Sequence, residues 1–419
     1  MGLAGEQALQ RSAFAEALAH LTTGLELLKT LPESSARDDQ EIRMQLALGD
    51  ASISAMGPAS DQAEAAFSRA YELCVPKGES IDLLRALSGI RLVHSTRGAT
   101  RKALELTRET REIARRINDP IQAAIAHAAS ATYLSFLGEL TQGRRMLEEL
   151  IELLRSLPDV RNLQVIRVTG PTIHGRTLWL LGFPDQALKQ VRESEIIGHR
   201  SSNSLAKAFG LVFKEADIWS GNFASVRENA QALLEAPWAA ELNPLHAARA
   251  DLARGWLLAK QGQSEGIAII RDGMARIGAT RYGIYRSLFG AMLAEACAAV
   301  GQIDEALSAV DEVLPIAQTE ERYYEAELNR LRGELLLMQD ASNGAQAEQL
   351  FRTAIEIARS QSAKSWELRA TMSLARLLDK QGKRVEARAM LSEIYNWFTE
   401  GFDTADLRDA KALLAELNG

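Results

Sequence analysis

Few side chains in this 419-residue sequence have the types and spacing that catalysis or metal binding needs. None of the six histidines has a second histidine three to five residues away, so the paired ligands of a helix-borne zinc site are absent. Cys74 and Cys297 lie far apart, which indicates buried free thiols in a reducing compartment. No GxxxxGK loop followed by Ser or Thr is present to hold phosphates. The sequence therefore predicts no enzyme, no metal site and no cofactor.

The chemistry that the sequence does offer is recognition. Tryptophan and arginine often carry the binding energy of interfaces, and carboxylates mixed with them would suit a peptide or a partner helix. Such side chains recur in the middle of the chain, and the candidate partner-binding residues are Arg176, Trp179, Glu215, Trp219, Trp256 and Glu295. The alternative is that the three tryptophans fill gaps between neighbouring helices, because they do not share one position relative to the glycine that follows each of them.

Those glycines mark an internal repeat, which is clearest around Gly382. Apolar residues recur at three- to four-residue spacing on both sides of it, as expected for two facing amphipathic helices: Leu374, Ala375, Leu378, Ala387, Leu391 and Ile394. The small residues Ala375 and Ala387 lie seven before and five after the glycine, where two backbones must approach closely. This order of small residue, turn glycine and small residue is typical of tetratricopeptide repeats.

The same joint recurs through most of the chain, at Gly57, Gly98, Gly138, Gly182, Gly221, Gly262 and Gly301. Successive intervals run from 39 to 44 residues, and the last, of 81, is about two units. Scattered glycines would not keep such a period. The pattern predicts an all-α fold: a tetratricopeptide-like α-solenoid, a right-handed superhelix of about ten helical hairpins closed by a capping helix over Asp403–Leu417.

In this fold the candidate binding residues, about six, three or two positions before a turn glycine, would lie on the concave surface of the solenoid. We expect residues 1–419 to form a single array, with the best-matching repeats and the cap over residues 347–417. Pro171 falls inside a predicted first helix, where it should cause a break, a kink or a late helix start.

Charge and hydropathy exclude other classes of partner. The formal net charge is −7 and no segment is dense in Lys and Arg, so direct nucleic-acid binding is not expected. The sequence has neither an apolar run long enough to span a membrane nor a signal peptide at its start, which favours a cytoplasmic protein without membrane contact.

The C-terminal run LRATMSLARLLDKQGKRVEARAMLSEIYNWFTEGFDTADLRDAKALLAEL resembles the end of large bacterial regulatory proteins. Those proteins join a cyclase-type or DNA-binding module to a signal-transducing ATPase and a tetratricopeptide-like (TPR) tail. The opening GEQALQRSAFAEALAHLTTGLELL resembles the start of that tail, and its lack of a helix cap is expected of a piece or descendant of something longer. Because the cyclase, DNA-binding and ATPase modules are absent here, the resemblance implies no enzymatic activity for any residue present.

The sequence thus favours a non-catalytic module for protein–protein interaction, a regulatory scaffold that binds a peptide or partner protein in its concave groove. The alternative is a signalling sensor whose groove binds a small effector and shifts the curvature of the solenoid. A closed pocket with convergent polar groups between Trp179 and Trp256 would favour the effector, whereas an open groove would favour a protein partner.

Overall fold

A computed structural model describes residues 4, 5, 7, 8, 13–158, 160–211, 215–241 and 245–418, and within these ranges the chain forms helices and no β-strand. The helices are α1 (Phe14–Lys29), α2 (Ser35–Met56), α3 (Asp61–Cys74), α4 (Ile81–Thr96), α5 (Thr100–Arg116), α6 (Pro120–Phe136), α7 (Leu140–Ser156), α8 (Arg161–Leu180), α9 (Pro184–Arg200), α10 (Ser204–Leu211), α11 (Glu215–Ser220), α12 (Phe223–Glu235), α13 (Leu245–Lys260), α14 (Glu265–Ala279), α15 (Arg286–Ala299), α16 (Ile303–Thr319), α17 (Glu325–Gln339), α18 (Gly344–Ser360), α19 (Lys364–Lys380), α20 (Arg384–Tyr395) and α21 (Ala405–Asn418). Short 3₁₀ turns lie at Val75–Lys77, Pro237–Glu241, Arg322–Tyr324 and Ala341–Asn343.

The turn glycines that define the repeat adopt the backbone conformation that the pattern requires. All eight have φ between +78° and +93°, a region that side chains other than glycine rarely adopt. Each glycine reverses the chain between two helices that pack against one another. The predicted all-α, tetratricopeptide-like solenoid of tandem helical pairs is confirmed.

Helix packing divides the chain into two compact units. The first comprises Met1–Ser130 together with Gly278–Ile284, and the second comprises Ala131–Ile277 together with Tyr285–Gly419. That residues 1–419 form a single array stays a prediction.

In the first unit, serines cap three successive helices and one phenylalanine fills the core between them. Ser34, Ser60 and Ser80 each accept a hydrogen bond from the backbone amide three residues on, which satisfies a free N–H at the helix start. Phe67 of α3 lies between Gly49 of α2 and Gly89 of α4. Because neither glycine has a Cβ atom, there is room for the phenylalanine ring. The helices therefore pack more closely than side chains at these two positions would allow.

The C-terminal repeats of the second unit follow the sequence pattern closely. Phe351, Leu374 and Leu391 are fully buried in one apolar cluster that continues onto the last helix. That helix, α21, buries Leu407 and Leu413 and turns its polar side to solvent. The predicted capping helix is confirmed.

Pro171 does not interrupt its helix, contrary to the expected break or late start. Helix α8 runs from Arg161 to Leu180 with Pro171 inside it. Beside the missing N–H, the hydroxyls of Thr172 and Ser194 both donate to the carbonyl oxygen of Val168, at 3.0 Å each. In a regular helix the bond that Pro171 cannot make would end on the carbonyl oxygen of Arg167, so these hydroxyls do not replace it. The extensive packing of α9 against α8 supports the helix across the proline.

Candidate functional site

The structure buries most of the candidate binding residues inside the second unit. Five of the residues are each 5% exposed or less: Arg176, Trp179, Glu215, Trp219 and Trp256. The sixth candidate, Glu295, keeps 24% of its side chain exposed. All six come from the first helices of successive hairpins, as the repeat pattern predicts. Their role in binding a partner stays a prediction.

Residues six positions before consecutive turn glycines meet in pairs. Arg176 Nη1 donates to Glu215 Oε1 at 3.4 Å, and Trp256 Nε1 donates to Glu295 Oε2 at 3.1 Å. The partners in each pair are 39 residues apart, which is the interval between their glycines. Equivalent positions of adjacent repeats therefore lie side by side, and one repeat supplies a donor where the next supplies an acceptor.

Arg176 is enclosed by aromatic rings. Its guanidinium carbon lies 4.4 Å from the ring centre of Phe136, 4.9 Å from that of Tyr323 and 5.8 Å from that of Tyr285. Burial alone would lower the pKa of Arg176, but Tyr285, Glu215 and Tyr323 outweigh it and the pKa is raised. The guanidinium stays charged in this box because the ring faces and the Glu215 carboxylate replace its hydration.

Trp219 is the centre of a second aromatic group next to this box. Its ring lies 5.0 Å from Trp366 in an edge-on arrangement, and 6.4 Å from both Trp179 and Tyr324. Trp366 in turn donates from Nε1 to the carbonyl oxygen of Tyr323 at 2.8 Å. Such edge-to-face contacts add to the energy of burial. Trp179 and Trp219 thus pack against other aromatic rings of the second unit, and the alternative interpretation had expected such packing of all three tryptophans.

Helix α19 closes the inner surface of the second unit over these residues. The hydroxyl of Ser365 donates to the carbonyl oxygen of Trp179, and Arg369 Nη2 donates to that of Trp219 at 3.3 Å. Residues 186 and 150 positions apart in sequence are thereby joined. Around Arg176 and Trp179 the chain's own side chains therefore occupy the inner surface.

Arg369 also anchors an ion-pair network that the repeat pattern did not reveal. Its Nε lies 2.8 Å from Asp406 Oδ2 and its Nη1 lies 3.2 Å from Glu327 Oε1, while Arg330 holds the other side of Glu327 at 2.8 Å. Burial alone would raise the pKa of Glu327, but the two arginines outweigh it and the pKa is lowered. Arg369 lies thirteen residues before Gly382, outside the positions that the repeat pattern assigns to the inner surface, so the pattern did not predict it.

Next to this network lies a half-open cavity of about 170 Å³. Three candidate residues line it: Trp219, Trp256 and Glu295. Buried Leu288 and Met292 provide an apolar wall, and the ring of Phe223, 38% exposed, packs edge-on against Trp256 at 5.3 Å. The candidate residues thus enclose accessible space even though most of their own surface is buried.

The charged groups on the cavity walls are already paired. Glu295 Oε2 accepts from Trp256 and lies 3.4 Å from Lys260 Nζ, and the Lys260 ammonium sits 5.5 Å from the centre of the Trp256 ring. On the other wall Arg369 and Asp406 hold one another. A group entering the cavity would therefore meet polar and apolar surface in about equal parts. Because the charged groups among them already have partners, the cavity suits an uncharged occupant.

Within the described part of the chain, no three His, Cys, Asp or Glu side chains cluster as metal ligands would. His174 and His246 are both buried, and burial lowers the pKa of each imidazole. No described helix is long and apolar enough to cross a membrane.

Three solved structures that are similar to this chain are each less than 20% identical to it. A Rap protein complexed with competence and sporulation factor is 17% identical, with a TM-score of 0.49 over 71% of this chain and 80% of its own. A signal-transduction ATPase with a tetratricopeptide repeat sensor from Pyrococcus horikoshii is 14% identical, with a TM-score of 0.40 over 85% of this chain and 55% of its own. Yeast Tom70 is 13% identical, with a TM-score of 0.35 over 99% of this chain and 95% of its own. No protein-family model and no curated protein matches the chain. Because these similarities are so distant, no function is inferred from them, and the argument for function rests on the geometry of the site.

Proposed function

We propose that this protein is a non-catalytic interaction module that holds a partner polypeptide by inserting one uncharged side chain of that partner into the Trp219–Trp256 cavity. The observation that carries the proposal is the cavity itself, in which tryptophan, methionine and leucine walls are combined with ion pairs that need no further partner. Buried apolar anchors of this kind dominate the energy of many interfaces.

The size of the cavity limits what can enter. An engineered apolar cavity of about 150 Å³ in another protein holds one benzene molecule. The 170 Å³ here is therefore enough for one aromatic or branched aliphatic side chain, and too small for a folded element. The half-exposed Phe223 ring at the rim offers further apolar contact to the residues that flank such an anchor.

The proposal can be tested with peptides selected from a random display library on the full-length chain. Ala405 lines the cavity, so Ala405→Trp should fill it, whereas Ala412→Trp places the same side chain on the exposed face of the same helix. We expect the selected peptides to share one large apolar residue, to lose about tenfold or more in affinity for the Ala405→Trp variant, and to bind the Ala412→Trp variant as they bind the wild type. Equal binding to all three proteins would contradict the proposal.

Truncating the tryptophans would be a poorer test. Trp219 touches three other aromatic rings and is 3% exposed, so replacing it with alanine removes a core side chain. Such a change costs about 3–5 kcal/mol of folding free energy. A loss of peptide binding by such a variant could then result from unfolding alone. The Ala405→Trp variant avoids this ambiguity because it fills the cavity without removing a core side chain.

A second candidate function is a sensor for a small apolar effector. The half-enclosed shape and single-ring volume of the cavity favour it, because a free aromatic molecule would meet the same walls as an aromatic side chain. Thermal unfolding of the full-length chain with added benzene or indole separates the two functions. If the small molecule raises the Tm, Ala405→Trp abolishes this rise and no peptide is selected, the effector is favoured. If selected peptides bind the cavity and benzene only competes with them for it, the partner polypeptide is favoured.

A further inference from the structure

A different part of the molecule holds a short segment of the chain in the manner of a bound peptide. Residues Gly278–Ile284, with the sequence GATRYGI, belong to the first compact unit, although their neighbours in sequence on both sides belong to the second. The segment lies on the turn between α4 and α5, residues Thr96–Ala99.

Backbone atoms make the central contact. The Gly283 amide donates to the carbonyl oxygen of Thr96 at 2.7 Å. A Cβ atom on Gly283 would lie 2.2 Å from the carbonyl oxygen of Arg97, and a Cβ atom on Gly98 would lie 2.5 Å from that of Gly283. Real Cβ atoms do not approach a backbone so closely, so this contact requires glycine on both sides.

A carboxylate next to the turn binds the arginine of the segment. Arg281 Nη1 lies 2.6 Å from one oxygen of Asp61, and Arg97 Nη2 lies 2.7 Å from the other. Arg97 is itself fixed by two hydrogen bonds to the carbonyl oxygen of Ala59, at 3.0 and 3.1 Å. The Asp61 carboxylate is thus held in place by one arginine while it accepts a second.

We propose that the Thr96–Ala99 turn and Asp61 form a recognition site for an Arg-X-Gly segment, and that the chain's own Arg281–Gly283 occupies this site. Three features define the ligand. The Thr96 carbonyl accepts a backbone N–H of the segment, and the surface at Gly98 admits only glycine. The Asp61 carboxylate selects a guanidinium on the residue two positions before that glycine. A partner segment with the same chemistry competes for the site. This inference lies outside the Trp219–Trp256 cavity and does not depend on its function.

The occupied state can be tested by amide hydrogen exchange on full-length variants. Gly98 and Gly301 are both turn glycines with φ of +83°, but a Cβ atom on Gly301 would meet nothing within 4 Å. Alanine at either position suffers the same backbone strain, and only Gly98→Ala also collides with Gly283. We expect exchange in residues 278–284 to become about tenfold faster in Gly98→Ala and to stay at the wild-type rate in Gly301→Ala. Unchanged exchange in Gly98→Ala would overturn the proposal.

The recognition itself can be tested with a labelled peptide of sequence GATRYGI and fluorescence anisotropy. The full-length Gly283→Ala variant should release its own segment and bind the peptide about tenfold or more tightly than the wild type, whose site is occupied intramolecularly. Adding Asp61→Asn or Gly98→Ala to that variant should weaken binding again, and a peptide with alanine in place of its second glycine should not bind. If Gly283→Ala binds the peptide no better than the wild type, or binds both peptides alike, the site is not one for Arg-X-Gly segments.

Discussion

The buried pair of Arg176 and Glu215 allows a sharp test of how the inner surface of the second unit is held together. Both side chains are almost fully buried, and their single ion contact, at 3.4 Å, is long. The three rings around the guanidinium supply much of its remaining stabilisation. We consider the neutral single variants Glu215→Gln and Arg176→Met, and the double variant that carries both.

Burial sets the size of the effects. Removing one partner of a buried ion pair costs about 3–5 kcal/mol, because the other charge is left without compensation. Glu215→Gln should fall near 3 kcal/mol, since Arg176 keeps its rings and an amide oxygen can still accept a hydrogen bond. Arg176→Met should fall near 5 kcal/mol, because it leaves a carboxylate facing the negative ring faces. The double variant should lie within about 2 kcal/mol of the wild type, since a neutral pair of similar volume needs no compensation.

Tryptophan fluorescence is the appropriate assay, because it reports on the second unit alone. All six tryptophans lie in that unit: Trp179, Trp219, Trp238, Trp256, Trp366 and Trp397. Urea unfolding followed by this signal gives the free energy of unfolding of the region that contains the pair.

The double-mutant cycle also provides the refutation. The costs of the two single changes in free energy of unfolding should be strongly non-additive, and the double variant should be more stable than either single variant. Single costs below about 1 kcal/mol, or a double variant whose cost equals the sum of the two single costs, would show that Arg176 and Glu215 do not compensate one another's charge.

Three further predictions concern buried groups. Burial, with a neighbouring arginine, lowers the pKa of His246 to about 4. The unfolded chain therefore binds the extra proton first, and this group should cost the second unit about 3 kcal/mol as the pH falls from above 6.5 to 4. In urea titrations at each pH, His246→Gln should reduce the loss of stability and leave the part that is due to His174. Burial raises the thiol pKa of Cys74 and Cys297, so both should resist DTNB until the protein unfolds, and a fast-reacting thiol in the native protein would contradict this. Trp366→Phe should cost about 2–3 kcal/mol in urea unfolding, because the carbonyl of Tyr323 loses its buried donor; a cost near zero would mean that another donor replaces it.

The fold could be predicted from the sequence because its determinants are local. A glycine that must adopt positive φ, with small residues at fixed distances on both sides, defines a helical hairpin within one repeat length. Even an imperfect repeat was predicted usefully. Five residues after Gly262, where most of the other repeats have a small residue, the sequence has Ile267. In the structure the adjacent Gly266 makes the close contact instead, because a Cβ atom on Gly255 would lie 2.6 Å from its carbonyl oxygen. The break or late start expected at Pro171 was wrong, because α8 continues through the proline while it packs along α9, which comes from the next stretch of the chain.

The candidate site was only partly within reach of the sequence. Its spacing placed the six residues on the first helices of successive hairpins, but the pairing of Arg176 with Glu215 and of Trp256 with Glu295 emerged only from the structure. It did not reveal that α19 covers Trp179 and Trp219, nor that Arg369 joins the site. Small rotations between successive hairpins decide which distant repeats meet, and these rotations arise from packing along the whole array.

The sequence by itself therefore determined the helical pairs, their turns and the residues that face inward, because each of these depends on interactions within one repeat or with the next. Only the tertiary structure decided that the inward residues are largely covered, that a cavity of one side chain's volume remains beside Trp219, and that Arg281–Gly283 docks on a turn far away in sequence. Those outcomes depend on contacts between residues some 150 to 220 positions apart, whose meeting no local pattern encodes.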